Sequence, residues 1–415
     1  MLLIMMKLIL YKPLKFSYLS SFQMNIGRYC LIALLIIAIV LLILHHRKMN
    51  KFVYLNTNST DAIGNGYFNP SDLGYTNMAI VRQQKEQLKN EIKHLVNAPV
   101  NAKVIFNSGA TESIATCINW AKSRNHYGSI VGTSFDHSAV QNNCQNQDVP
   151  YTYVDGRYKG RMLKKLKDTP NTSAIFLTHV NSKTGEILPQ EMVEYGSLAR
   201  YMNDEDVHDL DESKVSGTYR PLIFMDATQS ITKLPIDMEK WRLNAVFFSL
   251  HKIGGPMNMG VLVINDEDHS FKPLIAGEQN DGLRGGTFND VELIKHRDIF
   301  KPCKTTIEQR QETWEHAVKQ LKGKGLDIYE PTGDHLYNTI LINISPKVCP
   351  LSIVNKLSEE GIYLGTSSAC ANEKVLKGQM SGGDLAHIRL SFINPDDLTD
   401  HVLNEIGDVI KTYGM

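Results

Sequence analysis

The stretch Pro221-Leu222-Ile223-Phe224-Met225-Asp226-Ala227-Thr228-Gln229-Ser230 begins as an apolar run and ends on a carboxylate followed by small and polar residues. A second stretch has the same grammar: the apolar run 244–248 leads into Ser249-Leu250-His251-Lys252-Ile253-Gly254-Gly255-Pro256. Short apolar runs rich in β-branched and aromatic residues, closed by turn residues, read as strands of a helix-covered sheet. Polar groups at their carboxyl ends stand where ligands of open α/β sheets collect.

Outward from these two, further runs of the same kind lie at 103–107, 129–133, 151–154, 173–178 and 259–264, which with 221–225 and 244–248 makes seven strands. Helical patterns alternate with them. Residues 76–96 place Val81, Leu88, Ile92 and Leu95 on one face, and 111–120 follow a Ser-Gly-Ala turn. The expected architecture is a large α/β domain over 49–300 with a mainly parallel, doubly wound seven-stranded sheet. After about residue 300 the pattern changes to a long helical segment, a strand at 338–345, a helix at 351–360, a strand at 388–393 and a closing helix. These predict a smaller α+β domain over 301–415. A chain of 415 residues has room for both, since single cores stop growing beyond roughly 250–300 residues.

Lysine plus arginine equals aspartate plus glutamate at 44 each, so no overall field draws the chain to nucleic acid. The six cysteines form no C-x-x-C pair, which argues against a disulfide scaffold or zinc site and for a reducing compartment. Residues 203–218 are polar and acidic and read as a solvated surface loop. Near the N-terminus, 29–44 is uncharged and bracketed by Arg28 and His45-His46-Arg47-Lys48. Although shorter than the roughly 20 residues of a comfortable span, it predicts a single membrane anchor over 29–46, tethering a cytosolic catalytic domain. Basic residues on both sides leave its orientation open. The rival reading starts translation at Met49, which makes 1–48 an extension outside a soluble cytosolic protein.

Lys252 and Asp226, each at a predicted strand end, supply an amine for a Schiff base and a carboxylate for a pyridinium nitrogen, the two anchors of pyridoxal 5′-phosphate (PLP). Separately, Lys252 reads equally as a surface lysine and Asp226 as a helix N-cap. Gln229 is placed to bond a ring hydroxyl. Ser108-Gly109-Ala110-Thr111 leads from strand to helix, where backbone N–H groups and the Thr111 hydroxyl suit a phosphate or form a plain capped turn. His137 suits ring stacking, proton exchange or a structural role. Thr287, in Leu-Arg-Gly-Gly-Thr, lies in a glycine-rich turn. Arg389, on a predicted strand, wants a carboxylate from substrate or protein. Cys370 sits in the small-residue loop Gly-Thr-Ser-Ser-Ala-Cys, a setting for a mobile nucleophile rather than a core thiol, whereas Cys117 reads as core.

The set Ser-Gly-Ala-Thr-Glu-Ser, Asp-His-Ser-Ala-Val, His-Val-Asn-Ser-Lys-Thr-Gly, Met-Asp-Ala-Thr-Gln-Ser, Ser-Leu-His-Lys-Ile-Gly-Gly-Pro, Arg-Gly-Gly-Thr and Gly-Thr-Ser-Ser-Ala-Cys resembles the NifS-like cysteine desulfurases. These belong to the class V aminotransferases, with the type I PLP-dependent transferase fold. The likeness runs from about Met49 to the C-terminus. It implies that Lys252 holds the cofactor and moves a proton, Asp226 pairs with the pyridinium, His137 stacks on the ring, and Gln229 and Asn181 contact the ring hydroxyl or substrate. It further implies that Thr111, Ser249 and His251 bind phosphate, with Thr287 from the other subunit of a homodimer, and that Arg389 holds the carboxylate of L-cysteine. Cys370 would take the sulfur as a persulfide, releasing alanine and supplying an acceptor protein for iron–sulfur clusters or thiolation. Three features depart from the family: Asn56-Thr57-Asn58-Ser59-Thr60-Asp61 stands for Asp-x-x-Ala-Thr-Thr, Ile393-Asn394 for Gly-Arg, and the segment from Cys370 to Arg389 is short. A selenocysteine or other β-eliminating lyase, and an inactive membrane-tethered binding protein, are the competing functions on this scaffold.

Overall fold

All seven runs form strands within one residue of their expected ends: β1 (Lys103–Asn107), β2 (Ser129–Thr133), β3 (Tyr151–Val154), β4 (Thr172–Thr178), β5 (Leu222–Asp226), β6 (Ala245–Ser249) and β7 (Gly260–Ile264). The structure, a computed structural model, describes residues 35–39, 76–169, 171–193, 220–345, 347–366 and 387–413. All elements named here belong to the unit Asn69–Met415. The strands join one sheet in the order β1-β7-β6-β5-β4-β2-β3. Pairing is parallel from β6 through β5, β4 and β2 to β3, while β7 runs antiparallel to both β6 and β1. The result is the mainly parallel α/β sheet expected.

Strand alternation divides the core between the two faces. On β5, Ile223 and Met225 face one cluster, with Leu88 and Ile92 of helix α1 (Thr76–Leu95). Leu222 and Phe224 face the other, with Ile114, Ile118 and Trp120 of α2 (Ala110–Arg124) and Val140 of α3 (Ser138–Asn146). β6 alternates in phase: Val246 and Phe248 go to the first face, Ala245 and Phe247 to the second. Carried one residue further, the alternation puts Asp226 and Ser249 together on the α2–α3 face, at the carboxyl ends of adjacent strands. Cys117 lies in this core, and burial pushes its thiol well up. Helices α4 (Lys159–Lys167) and α5 (Asp290–Lys295) complete the description of this part.

The C-terminal part builds its own apolar cluster, including Leu321, Ile340, Leu357, Ile388 and Ile406. It comprises α6 (Ile307–Gly323), β8 (Asp327–Ile328), β9 (Thr339–Asn343), α7 (Pro350–Glu359), β10 (His387–Ser391) and α8 (Asp400–Tyr413). The three strands form an antiparallel sheet in the order β10-β9-β8. A capping box closes the start of α6, with Thr306 and Gln309 satisfying each other's backbone N–H groups. The two parts join through the turn after β4. Ile187 N–H donates to Asp334 O (2.7 Å) and Leu336 N–H to Gly185 O (3.0 Å). Gly185 has φ +79°, and a side chain there would press on Thr339. Buried Glu186 accepts from Thr184 Oγ1 (2.8 Å) and from Thr332 N–H (3.3 Å), so one carboxylate ties both parts.

The expected membrane anchor is corrected. Among the described residues no helix is long and apolar enough to cross a membrane. Of the predicted span only residues 35–39 are described, as exposed helix. The acidic stretch 203–218 and Cys370 lie outside the described residues.

Phe224 has no exposed surface and meets Trp120 at 5.6 Å and Phe176 at 5.2 Å between ring centroids. Phe224→Ala is expected to lower the unfolding free energy by about 3–5 kcal/mol, read from the denaturant midpoint of the cofactor-free protein.

Candidate active site

Five strands deliver polar groups to one edge of the large sheet. Asn107 pairs with Gly260 and Gly260 with Ser249, so the ends of β1 and β6 lie side by side with β7 between them. Thr178 pairs with Asp226, bringing the end of β4 beside that of β5, and β2 runs parallel to β4. The segments that leave this edge are Ser108–Thr111, Asp136–His137, His179–Asn181, Asp226–Gln229 and Ser249–Lys252. Every sequence-predicted cofactor residue of the large part except Thr287 therefore belongs to one side of the sheet.

Between β1 and α2 the chain forms a backbone cup. Gly109 caps the helix at φ +142°, and Gly260 faces it so closely that a Cβ there would come within 2.5 Å of the Gly109 Cα. Three N–H groups of the turn are taken: Ser108 donates to Glu112 Oε2 (2.9 Å), Gly109 to Asn107 Oδ1 (3.0 Å) and Ala110 to Ser249 Oγ (2.8 Å). The next N–H, that of Thr111, falls in the first helical turn, where no intrahelical acceptor exists, and the Thr111 side chain is exposed. The helix starts at Ala110, one residue before the expected start. The carboxylate that closes its first turn is Glu112, a role the sequence reading did not assign. Burial pushes the Glu112 carboxyl up, but hydrogen bonds from Arg284 and Ser108 outweigh it and hold it below the ordinary range. Arg284 reaches it twice, from Nε at 3.0 Å and Nη2 at 3.3 Å. That pair fastens the Arg284-Gly285-Gly286-Thr287 turn to α2. Thr287 itself is exposed and has no described bond to the cup within this chain.

Asp226 is buried, and Oδ1 accepts from the Thr228 N–H at 2.8 Å. Burial raises its pKa, with smaller opposing effects from Thr228 and from the nearby His137. No cation among the described residues forms an ion pair with it. His137 caps α3, its Nδ1 accepting from the Ala139 N–H at 3.1 Å, so the ring is exposed with its other nitrogen free of the helix. Gln229 is half-buried, and its carbonyl accepts from Lys233 Nζ at 2.9 Å. Lys233 is lowered to about 8, by burial first.

Lys252 lies in the 3₁₀ turn Leu250–Ile253 that follows β6. Its side chain remains accessible, and its amine has no described hydrogen-bond or ion partner. Its pKa is lowered, by burial and then by the charge of Arg389. His251 beside it is exposed and also lowered, by burial and then by Lys252. An accessible amine held below its ordinary basicity is a nucleophile and a proton carrier.

Arg389 comes from β10 and reaches across to the large part. Its Nη1 donates to Ser182 O at 2.9 Å, while its Nε is buried without a partner. Gly365 bridges it through the backbone, and a Cβ at Gly365 would meet Nη2 at 3.2 Å, so the glycine leaves room for the guanidinium. Asn181 uses Oδ1 to hold its own turn, accepting from Lys183 N–H at 2.8 Å, which leaves its amide nitrogen to donate outward.

Two further residues were missed. Asp136 accepts from Thr133 N–H (3.0 Å), Thr178 Oγ1 (2.8 Å) and Tyr151 Oη (3.3 Å), and burial outweighs these bonds to raise it to about 7. A Cβ at Gly132 would fall on its carboxylate. His179 is buried edge-on to Trp241, and burial lowers it to about 4. Their positions beside His137 and Asn181 were the available signal, but the hydrogen bonds to Thr178 and Tyr151 cross between strands.

The residues present fit PLP. The Thr111 N–H and exposed hydroxyl at the start of α2 suit its phosphate, Asp226 lacks the positive neighbour a pyridinium provides, and Lys252 offers a free amine. Comparison with known proteins agrees. The profile of the family "Aminotransferase class-V" matches residues 61–400. The chain belongs to this family. It is 26% identical over 353 residues to the protein named cysteine desulfurase IscS of Photobacterium profundum, covering 78% of this chain and 80% of that one. It is 26% identical over 391 residues to the so-named protein of Plasmodium falciparum, covering 83% of this chain and 66% of that one. In fold it is similar to a solved NifS-like protein, with a TM-score of 0.64 and 23% identity over 83% of this chain and 92% of that one. The NifS-like protein of Rickettsia africae superposes with a TM-score of 0.62 at 17% identity, over 83% of this chain and 91% of that one.

Because Arg284 neutralises a largely buried carboxylate, Arg284→Met is expected to cost about 1–3 kcal/mol of stability at pH 7. Glu112 is depressed in the folded protein, so its contribution is present above the unfolded carboxyl pKa and disappears as pH falls through the folded one. The difference between wild type and variant should therefore shrink below about pH 4, as measured by urea unfolding at both pH values.

Proposed function

We propose that the protein is a PLP-dependent cysteine desulfurase that converts L-cysteine to L-alanine and carries the sulfur as a persulfide on Cys370. The observation that carries the reading is buried Asp226, without a described cation partner, on the same sheet edge as the accessible, basicity-depressed amine of Lys252. The named relatives support the substrate class. We assign 49–300 to the cofactor-binding domain and 301–415 to the domain carrying Arg389 and the cysteine loop.

When bound, PLP supplies a cationic ring that takes up electron density from the α-carbon of an amino acid. Asp226 keeps its negative charge beside that ring nitrogen and so keeps the ring electron-poor. Thr111, Ser249 and His251 hold the phosphate at the α2 cup, with Thr287 contributed by a second copy of the chain in a homodimer. His137 covers the ring, and Gln229 and Asn181 donate to its hydroxyl or to the substrate. Arg389 pairs with the substrate carboxylate through its unpartnered edge. Lys252 moves the proton at the substrate α-carbon, a role its depressed pKa suits.

The Cys370 thiolate attacks the substrate sulfur. An S–S bond forms, the Cβ–S bond breaks, and its electron pair remains with carbon, which leaves protonated as L-alanine. The balance is one L-cysteine and one enzyme thiol giving one L-alanine and one enzyme persulfide, with no external oxidant. A thiol of an acceptor protein then takes the outer sulfur for iron–sulfur cluster assembly or thiolation.

Purified protein supplied with PLP is expected to be yellow and to release alanine and sulfide in equal amounts from L-cysteine under reductant. Lys252→Ala should lose the visible absorbance and turnover by at least about 10²-fold. Cys370→Ala should retain the colour and lose persulfide, followed by gel-shift labelling of the outer sulfur. A yellow protein that releases alanine from selenocysteine alone, or from neither amino acid, would replace this reading with the lyase or the inactive one.

A further inference from the structure

Asp136 immediately precedes His137 in the link from β2 to α3. Its Oδ2 accepts from the Thr133 N–H (3.0 Å) and from Tyr151 Oη (3.3 Å), and its Oδ1 from Thr133 Oγ1 (3.1 Å) and Thr178 Oγ1 (2.8 Å). These donors come from β2, β3 and β4, the three strands at one end of the large sheet. Two donors on each oxygen fill the roughly four lone-pair positions of a carboxylate, and none of them is charged. The group has no acceptor capacity left for a substrate, so any effect on the chemistry passes through what it holds in place.

An aspartate just before a helix is ordinarily its cap. Here the cap is His137, whose Nδ1 accepts from the Ala139 N–H, and the Asp136 carboxylate turns to the strands instead. Stability does not account for it either. Burial raises Asp136 to about 7, so the ionised form is disfavoured in the folded protein and its presence costs stability as pH rises from the ordinary carboxyl range through 7. The fold nevertheless makes room for it, since a Cβ at Gly132 would collide with Oδ2.

The carboxylate fastens the start of α3 to the end of β4. Thr178 pairs with Asp226 across β4 and β5. The alternation that sends Ala174 and Phe176 to the α2–α3 face carries Thr178 to the same face as Asp226. The Thr178 bond therefore ties the residue before His137 to the residue beside Asp226. A flat ring anchored at Asp226 and covered by His137 requires those two side chains in a fixed relation, which is what hydrogen bonds from behind a site supply.

We propose that Asp136 is a positioning residue for His137, fixing the place of its imidazole relative to Asp226 through the bond from Thr178. The proposal rests on the PLP reading of the site and adds to it a residue that touches neither cofactor nor substrate.

The test is a double-mutant cycle on the PLP-loaded protein, read as the PLP dissociation constant from the visible absorbance. Asp136→Ala and Thr178→Val are each expected to raise that constant about fivefold to tenfold, while Thr178→Ser, which keeps the hydroxyl, should stay within about twofold of wild type. His137→Ala should raise it as well. Adding Asp136→Ala to His137→Ala should then cost less than about a further twofold, because the ring through which Asp136 acts is already gone. Additive losses, or no change in Thr178→Val, would overturn the proposal. Should Asp136→Ala fail to fold, Thr178→Val takes its place in the cycle. In the cofactor-free protein, the His137 imidazole signals followed by NMR are expected to move in Thr178→Val and to return in Thr178→Ser; unmoved signals refute the positioning role. Wild-type protein that takes up no PLP would sink the cofactor reading, and the imidazole signals would still decide whether Asp136 holds His137.

Discussion

A carboxylate closed off from water at the end of a central strand needs a positive charge beside it, and Asp226 occupies that position. Left alone, burial drives it toward the neutral acid; a pyridinium placed against it makes the ionised form the stable one. The rest of the site is arranged around that requirement. β6, next to β5, brings Ser249 and Lys252, and β1 brings the turn that starts α2. Buried Asp226 and the start of α2 thus stand on the same edge as the accessible amine of Lys252.

The sheet satisfies this demand cheaply because its two faces are filled by a strict alternation. Phe224 and Phe247 pack under α2 and α3, and the next residues in phase, Asp226 and Ser249, emerge at the edge where those helices begin. Helix starts leave N–H groups free and carry positive partial charge. The starts of α2 and α3 are therefore brought to the edge that carries Asp226 and Ser249 by the packing that builds the core. The C-terminal part adds a second cation, and Glu186 and Gly185 hold the two parts closely enough for Arg389 to reach Ser182.

Charge distribution across the cleft is uneven in a useful way. Lys252, Lys183 and Arg389 all have lowered pKa values, burial being the leading cause in each. Partial dehydration disfavours the charged form of each, and the charge of Arg389 adds to the effect at Lys252. Burial, and then the charges of Lys183 and Arg389, lower His387 to about 4 and keep it neutral.

Much of this was legible in the amino-acid order. Runs of apolar residues ending in Asp226 and Ser249 determined the strands, their helix-covered sheet and the edge where chemistry collects, because burial on two faces imposes its own composition. Lys252, Asp226, His137, Thr111 and Ser249 were each visible at the end of such a run or the start of a helix. The 29–44 stretch predicted a span, whereas no helix among the described residues is long and apolar enough to cross a membrane. Only the tertiary structure decided that β7 reverses direction, that Glu112 and Arg284 join segments 172 residues apart, and that Asp136 and His387 are enclosed. These depend on which distant groups share a dehydrated space, and the desolvation that sets a pKa or orphans a ring nitrogen exists only once the chain has closed around it.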